Sequence, residues 1–163
     1  MMLCFHEQGH NQPHSRPILM HTIEARPYGP EISENEREIL RAQVSLIDDD
    51  IILWREAPLT TVPQIDVYGE KLTELARQLD KVYLLIDLTD TNRPSADVLD
   101  RLRKVMSTQQ NLCHAAVFTG MNFLLNVAAK FVLARIGFAS FSIHKTREQA
   151  LEAIHHARSR ATC

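Results

Sequence analysis

The sequence has little of what usually indicates a function. Its three cysteines, Cys4, Cys113 and Cys163, are odd in number and lack metal-ligand spacing, so neither a disulfide framework nor a cysteine metal site is expected. With 18 basic and 20 acidic residues, the chain has no positive field to attract nucleic acid or anionic membranes. The glycine patterns of phosphate-binding loops are also missing. We therefore predict no nucleic-acid partner, no cofactor and no metal.

Secretion and membrane signals are lacking as well. The polar residues His6, Glu7 and His10 interrupt any apolar leader, which favours a cytoplasmic location. The most apolar segment, Asn122–Ile136, is too short and too interrupted to cross a bilayer. No integral membrane segment is expected.

Two regions differ in their residue patterns. Residues 1–30 are rich in proline and lack a sustained apolar period, which predicts an irregular N-terminal arm. Its histidines recur every four residues, but Gly9 and Pro13 would break a helix that aligned them, so a metal site is not favoured. Residues 31–163 form the predicted folded domain, since 45% hydrophobic composition is enough for a core.

The folded domain opens with a short helical turn and a hairpin. Glu31–Glu38 is acidic and has a capping serine, Ser33, three residues before a glutamate. Leu40–Leu46 alternates apolar and polar residues and is predicted as a half-buried strand. Asp48–Asp50 then forms a turn before a second strand at Ile51–Trp54, because three adjacent carboxylates lack the alternating spacing of a calcium loop.

Helices and strands alternate through the rest of the chain. The segments are helix Ile65–Leu79, strand Val82–Leu88, helix Ser95–Met106, strand Cys113–Thr119, helix Asn122–Ile136, strand Ala139–Ile143 and helix Thr146–Arg158. The order β-β-α-β-α-β-α-β-α predicts an α/β fold with a mixed, mostly parallel sheet flanked by helices. The nearly all-apolar Val82–Leu88 is the expected central strand.

Ligands and partners of open α/β sheets gather at the carboxyl ends of the strands, and two turns qualify. The turn after the central strand is dense in polar side chains: Asp90, Thr91, Asn92, Arg93, Ser95 and Asp97. The second turn contains Thr119, Gly120 and Asn122. We predict both turns as partner-binding or regulatory, although Ser95 and Asp97 are also explained as a helix cap and a helix-dipole partner.

The helix Asn122–Ile136 is apolar around most of its circumference. Two explanations remain open: burial on two sides within the domain, or an exposed patch of Phe123, Val127 and Phe131 for a homodimer, a protein partner or a lipid.

No catalytic set is visible. Cys113 and His114 are neighbours on one strand and point to opposite faces, while His144 stands alone at the end of another strand. We predict that the protein is not an enzyme.

The element order, the strand-end phrase LLIDLTD and the closing FSIHKTREQALEAI resemble the STAS domain, and most closely its SpoIIAA-like branch. The resemblance covers about Leu40 to Ala157. It implies a bacterial regulatory module that docks a protein, in the best-known case a kinase-like anti-sigma factor, through the start of the helix after the central strand. The sequence departs from the family there, because Ser95-Ala96-Asp97-Val98 replaces the Asp-Ser-Ser-Gly-like phosphorylation motif.

The resemblance therefore predicts a non-enzymatic interaction module of the anti-sigma-factor-antagonist type, docking through Asp90–Asp97. The alternative is a carrier or sensor of a small apolar or lipid ligand, since the SpoIIAA-like branch also resembles the CRAL-TRIO fold.

Overall fold

A computed structural model describes residues 32–58, 60–120, 123–136 and 140–160 of the chain. The elements are α1 Glu34–Ala42, β1 Val44–Asp48, β2 Ile51–Arg55, α2 Val62–Ala76, β3 Val82–Asp87, α3 Ala96–Ser107, β4 Leu112–Phe118, α4 Phe123–Ile136, β5 Phe141–His144 and α5 Arg147–Arg160. The predicted arm 1–30 and Asn122 lie outside the described residues.

The five strands form one sheet in the order β1-β2-β3-β4-β5. β1 and β2 are antiparallel, and every other neighbouring pair is parallel. The predicted α/β class with a mixed, mostly parallel sheet is confirmed. The aspartates after β1 form the predicted hairpin turn, and Arg158 of α5 pairs with Asp48 at 3.1 Å and with Asp50 at 3.2 Å.

The connections explain how the helices are distributed. α2, α3 and α4 each join one parallel strand to the next, always in the same direction across the sheet. Crossovers of this kind are right-handed, so they place their helices on one face. A single core cluster there joins Trp54, Leu84 and Val117 of the strands to Leu72 of α2 and Leu133 of α4.

The opposite face of the sheet is covered by α5. Its buried residues Ala150 and Ile154 pack against Tyr83, Leu85 and Ala116 in a second, smaller cluster. β3 lies between the two clusters, and all six of its residues are buried. Its nearly all-apolar sequence is therefore explained by contact with helices on both faces.

The prediction of a strand from Leu40 to Leu46 was wrong at its start. α1 continues to Ala42, and β1 begins only at Val44. The helix is favoured by Ser33, whose hydroxyl accepts a hydrogen bond from the Glu36 backbone N–H at 3.3 Å, and it buries Leu40 completely. Alternation over a few residues does not distinguish this helix end from a strand.

α2 and α3 pack closely because Gly69 has no side chain. A Cβ placed at residue 69 would lie 2.8 Å from both methyl groups of Val105. Valine is branched at Cβ and is stiff about χ1, so these methyl groups have little room to move.

We predict that Gly69→Ala destabilises the protein by about 1 to 2 kcal/mol, because the clash outweighs the gain of about 1 kcal/mol for alanine over glycine in a helix. Urea unfolding of the wild type, Gly69→Ala, Val105→Ala and the double variant would measure this effect. The double variant should lose less stability than the two single losses added together. Additive losses would contradict the packing explanation.

Candidate functional site

The carboxyl ends of the four parallel strands form one edge of the sheet. Their terminal residues are in register across it, with Arg55 opposite Asp87, Asp87 opposite Phe118, and Phe118 opposite His144. The loops that leave these strands therefore start side by side. This edge includes both turns that the sequence predicts as binding regions.

Asp87 fixes the start of the loop after β3. Its side chain is 11% exposed and accepts hydrogen bonds from the Thr89 backbone N–H at 3.0 Å, the Thr89 hydroxyl at 2.6 Å and the Arg55 Nε at 3.3 Å. A buried carboxylate is costly unless such donors surround it. These three donors satisfy the charge and hold the chain as it leaves the sheet.

The loop itself is held by its backbone. Thr91 N–H donates to the Leu88 carbonyl at 3.1 Å, and Asn92 N–H donates to the Pro58 carbonyl at 2.9 Å, which ties the loop to the segment after β2. Asp90, Asn92 and Arg93 are exposed. Thr91 of the predicted polar cluster is only half-buried and its hydroxyl is buried, whereas Asp90, Asn92 and Arg93 lie at the surface on a backbone that internal hydrogen bonds restrain.

The start of α3 follows the predicted helix cap. Ser95 accepts a hydrogen bond from the Val98 backbone N–H at 3.4 Å, and Asp97 lies in the first turn. Both side chains belong to exposed residues. The capping explanation for Ser95 is confirmed, and its hydroxyl is engaged in that cap.

The second predicted turn lies beside the first. Gly120 has a φ of 64°, and a Cβ built on it would lie 3.5 Å from the Thr89 methyl group. Thr119 is only 1% exposed, and its N–H donates to the His144 carbonyl at 3.2 Å. The structure thus brings the two turns together, with Gly120 rather than the Thr119 side chain nearer the surface.

A small cavity of about 50 Å³ lies beneath the loop, between the sheet and helices α3 and α4. Most of its wall is apolar, but Trp54, Glu56 and Thr91 also line it. A larger groove of about 730 Å³ runs between α2 and α3, away from this edge, and is lined by charged residues such as Glu70 and Arg101.

Glu56 is a feature that the sequence did not indicate. Burial raises the pKa of its carboxyl to about 7, although a hydrogen bond with Thr60 acts to lower it. The pKa of Tyr68 is also raised, mainly by burial and secondly by the nearby Glu56. Glu56 directly follows β2 and Tyr68 lies in α2, so only the fold shows that they are close.

Hydrogen bonds link histidines and serines on β4 and β5. The Ser142 hydroxyl lies 3.0 Å from His114 Nε2 and 2.8 Å from His144 Nε2, and Ser140 lies 2.7 Å from His114 Nδ1. Burial lowers the pKa of both histidines. Ser142 and His144 are two residues apart on β5, whereas His114 reaches Ser142 from β4. Sequence reasoning missed the contact with His114 because pairing across two strands depends on their register.

α4 is buried along one face and exposes part of the predicted apolar patch. Leu125, Ala129 and Leu133 are buried, whereas Phe131 is 75% exposed and Val127 is 36% exposed. Val127 and Phe131 lie one turn apart and share a face. The side chain of Phe123, the third residue of the predicted patch, lies outside what the structure describes.

Comparison of the chain with protein-family models, with curated proteins and with solved structures gave no match. Within the described ranges, no helix is long and apolar enough to cross a membrane. The described residues also contain no group of three or more histidine, cysteine, aspartate or glutamate side chains placed to hold a metal ion.

We predict that Glu56 makes the protein less stable as the pH rises. The folded state holds a proton on this carboxyl up to a pH of about 7, whereas the unfolded chain releases it near 4.5, so stability falls between these values. The wild type should lose at most about 3 kcal/mol of unfolding free energy between pH 4.5 and 8 through this carboxyl. Glu56→Gln should remove that loss.

The exposed Glu38 provides the control. Glu38→Gln should keep the wild-type pH dependence, and comparing variants in this way cancels the histidine titrations common to all three proteins. If the unfolding free energy of Glu56→Gln changed with pH as that of the wild type does, burial of this carboxyl would not be the cause of the pH dependence.

Proposed function

We propose that the chain is a non-enzymatic interaction module of the anti-sigma-factor-antagonist type, acting in the bacterial cytoplasm, and that it docks a protein partner through Asp90–Asp97. The observation that carries this proposal is that the loop is both exposed and restrained. Its backbone is bonded at Thr91 and Asn92, while Asp90 and Arg93 are exposed. A restrained loop loses little conformational entropy when a partner binds.

The STAS resemblance supports the same surface. The phrase LLIDLTD covers the end of β3 and the start of the loop, and α3 begins at Ala96, where the family has its phosphorylation motif. Ala96 has no hydroxyl, and the Ser95 hydroxyl caps the helix. We therefore propose docking without a phosphorylation switch at these two positions, with the adjacent Gly120 turn extending the surface.

We predict that the double variant Asp90→Ala, Arg93→Ala loses partner binding at least tenfold without a change in thermal stability. Both residues are exposed and no hydrogen bond or ion pair of their side chains is found within the described residues. Truncating charged contacts at an interface lowers affinity, whereas truncating solvated side chains costs little stability. Affinity capture from a bacterial extract, followed by titration of the recovered partner, measures this effect.

Arg77 and Asp80 provide a matched control. They are also exposed, are also three residues apart, and lie before β3, at the opposite edge of the sheet. The variant Arg77→Ala, Asp80→Ala removes one positive and one negative charge, as the loop variant does, and it should still bind the partner. Equal retention by both double variants would refute docking through the loop.

We also propose that Val127 and Phe131 of α4 contribute to a homodimer interface. Burying a phenylalanine side chain contributes about 1.5 to 3 kcal/mol, and a twofold axis would use each residue twice. Phe131→Ser should weaken dimerisation at least tenfold in light scattering, while Lys130→Ser, an exposed neighbour on α4, should not. A monomeric wild type at high protein concentration would refute this proposal.

The alternative of a lipid carrier has less support. A pocket for a drug-sized ligand usually has about 300 to 1,000 Å³. The apolar cavity beneath the loop has about 50 Å³, and the larger groove between α2 and α3 is lined by charged residues. Neither feature suits a whole acyl chain, so we rank protein docking first.

A further inference from the structure

Two histidine rings at the edge of the sheet converge on one serine hydroxyl. The Ser142 Oγ lies 3.0 Å from His114 Nε2 and 2.8 Å from His144 Nε2. His114 comes from β4, whereas the other two residues come from β5, which is last in the strand order. The two Nε2 atoms are therefore no farther apart than these two distances together, and the hydroxyl lies within hydrogen-bond reach of both.

The register of β4 and β5 puts the three side chains on one face of the sheet. Ser142 is opposite Ala116 and His144 is opposite Phe118, while His114 lies two residues before Ala116. Residues two apart on a strand, and residues opposite each other on neighbouring strands, point to the same face. His114, Ser142 and His144 are each partly exposed. The cluster therefore lies at the rim of the sheet, where solvent ions can approach it, rather than in the core.

The His114 ring is also held at its other nitrogen. Its Nδ1 lies 2.7 Å from the Ser140 hydroxyl, which can accept a hydrogen bond from an Nδ1–H. A proton on Nδ1 leaves the lone pair of Nε2 free, and histidines that bind metals usually make such a second hydrogen bond through their other nitrogen. The Ser142 hydroxyl has one proton, so it can donate to only one of the two Nε2 atoms at a time. A metal ion would accept the lone pairs of both.

The spacing of the ligand atoms fits particular metal ions. With metal–ligand bonds of about 2.0 to 2.1 Å, atoms at adjacent corners of a square or an octahedron are about 2.9 Å apart, whereas those of a tetrahedron are about 3.4 Å apart. The distances from Ser142 Oγ to the two nitrogens, 3.0 and 2.8 Å, match the first value. Square and octahedral sites with nitrogen ligands are typical of Cu²⁺ and Ni²⁺, whereas Mg²⁺ and Ca²⁺ need oxygen ligands.

We propose that His114, His144 and Ser142 form a binding site for a divalent transition-metal ion of the Cu²⁺ or Ni²⁺ type, with both Nε2 atoms and the serine hydroxyl as ligands. Ser140 is a positioning residue that orients the His114 ring. Only two of the ligands are histidines, which agrees with the absence, among the described residues, of any group of three histidine, cysteine, aspartate or glutamate side chains placed to hold a metal. The site is independent of partner docking, and it departs from the expectation, drawn from the sequence alone, that no metal binds.

Ni²⁺ is a suitable probe because it is paramagnetic and broadens the NMR signals of nearby nuclei. We expect Ni²⁺ below one equivalent, added to the full chain at neutral pH, to broaden the backbone signals around His114, Ser142 and His144 before all others. The effect should saturate at one equivalent, and titration calorimetry gives the affinity. Mg²⁺ should leave the signals unchanged, because the site offers only one oxygen ligand.

Single histidine variants test whether the two rings act together. His114→Gln and His144→Gln each leave one imidazole, so either should weaken Ni²⁺ binding at least about tenfold. Ser140→Ala removes the hydrogen bond that orients His114 and should weaken binding about tenfold, although Ser140 is not a ligand. The control His155→Gln, His156→Gln removes two exposed histidines of α5 and should bind Ni²⁺ at this site as the wild type does.

Two results would overturn this site. One is broadening that starts at the histidines of residues 1–30 or at His155 and His156 and leaves the signals around Ser142 unchanged. The other is wild-type affinity in both single histidine variants. If either of these variants does not fold, as judged by circular dichroism, the position of the broadening in the wild type and the affinity of Ser140→Ala decide in its place. Ser140 is exposed, so its truncation is expected to cost little stability.

Discussion

Burial of the central strand β3 on both faces is the constraint on which the rest of the structure depends. All six of its residues are buried, so the sheet needs a cover on each side. Right-handed crossovers put α2, α3 and α4 on one face, and α1 joins them there. The other face depends on α5, whose Ala150 and Ile154 meet Tyr83 and Leu85. Among the helices that the structure describes, four thus cover one side of the sheet and one covers the other.

The same strand links the core to the candidate site. It ends in Asp87, a carboxylate that is almost buried and is satisfied by Thr89 and Arg55. The cost of leaving this charge without donors fixes the first residues of the loop. The exposed residues that follow are therefore positioned by an interaction at the rim of the core, and the loop does not have to be ordered by its partner.

The sequence predicted the elements with strong periodicity and missed the contacts that depend on packing. The buried strand, the capped helix α3 and the polar strand-end loop were visible because each has a local pattern. The start of β1 was misplaced because Leu40 fits both a helix face and an alternating strand. The closeness of Glu56 to Tyr68, and the hydrogen bond between His114 of β4 and Ser142 of β5, were not predictable, since each joins residues from different parts of the fold whose register and packing no local pattern fixes.

The position of α5 in the chain has a consequence for folding during synthesis. α5 follows all five strands, so the sheet and its first layer of helices can form before the helix that covers the second face is made. In a sheet formed without α5, the residues that α5 covers, among them Ile51, Tyr83, Leu85 and Phe118, would form an apolar surface. If the sheet forms before α5 docks, one of its faces is open to chaperones or to other unfinished chains during synthesis.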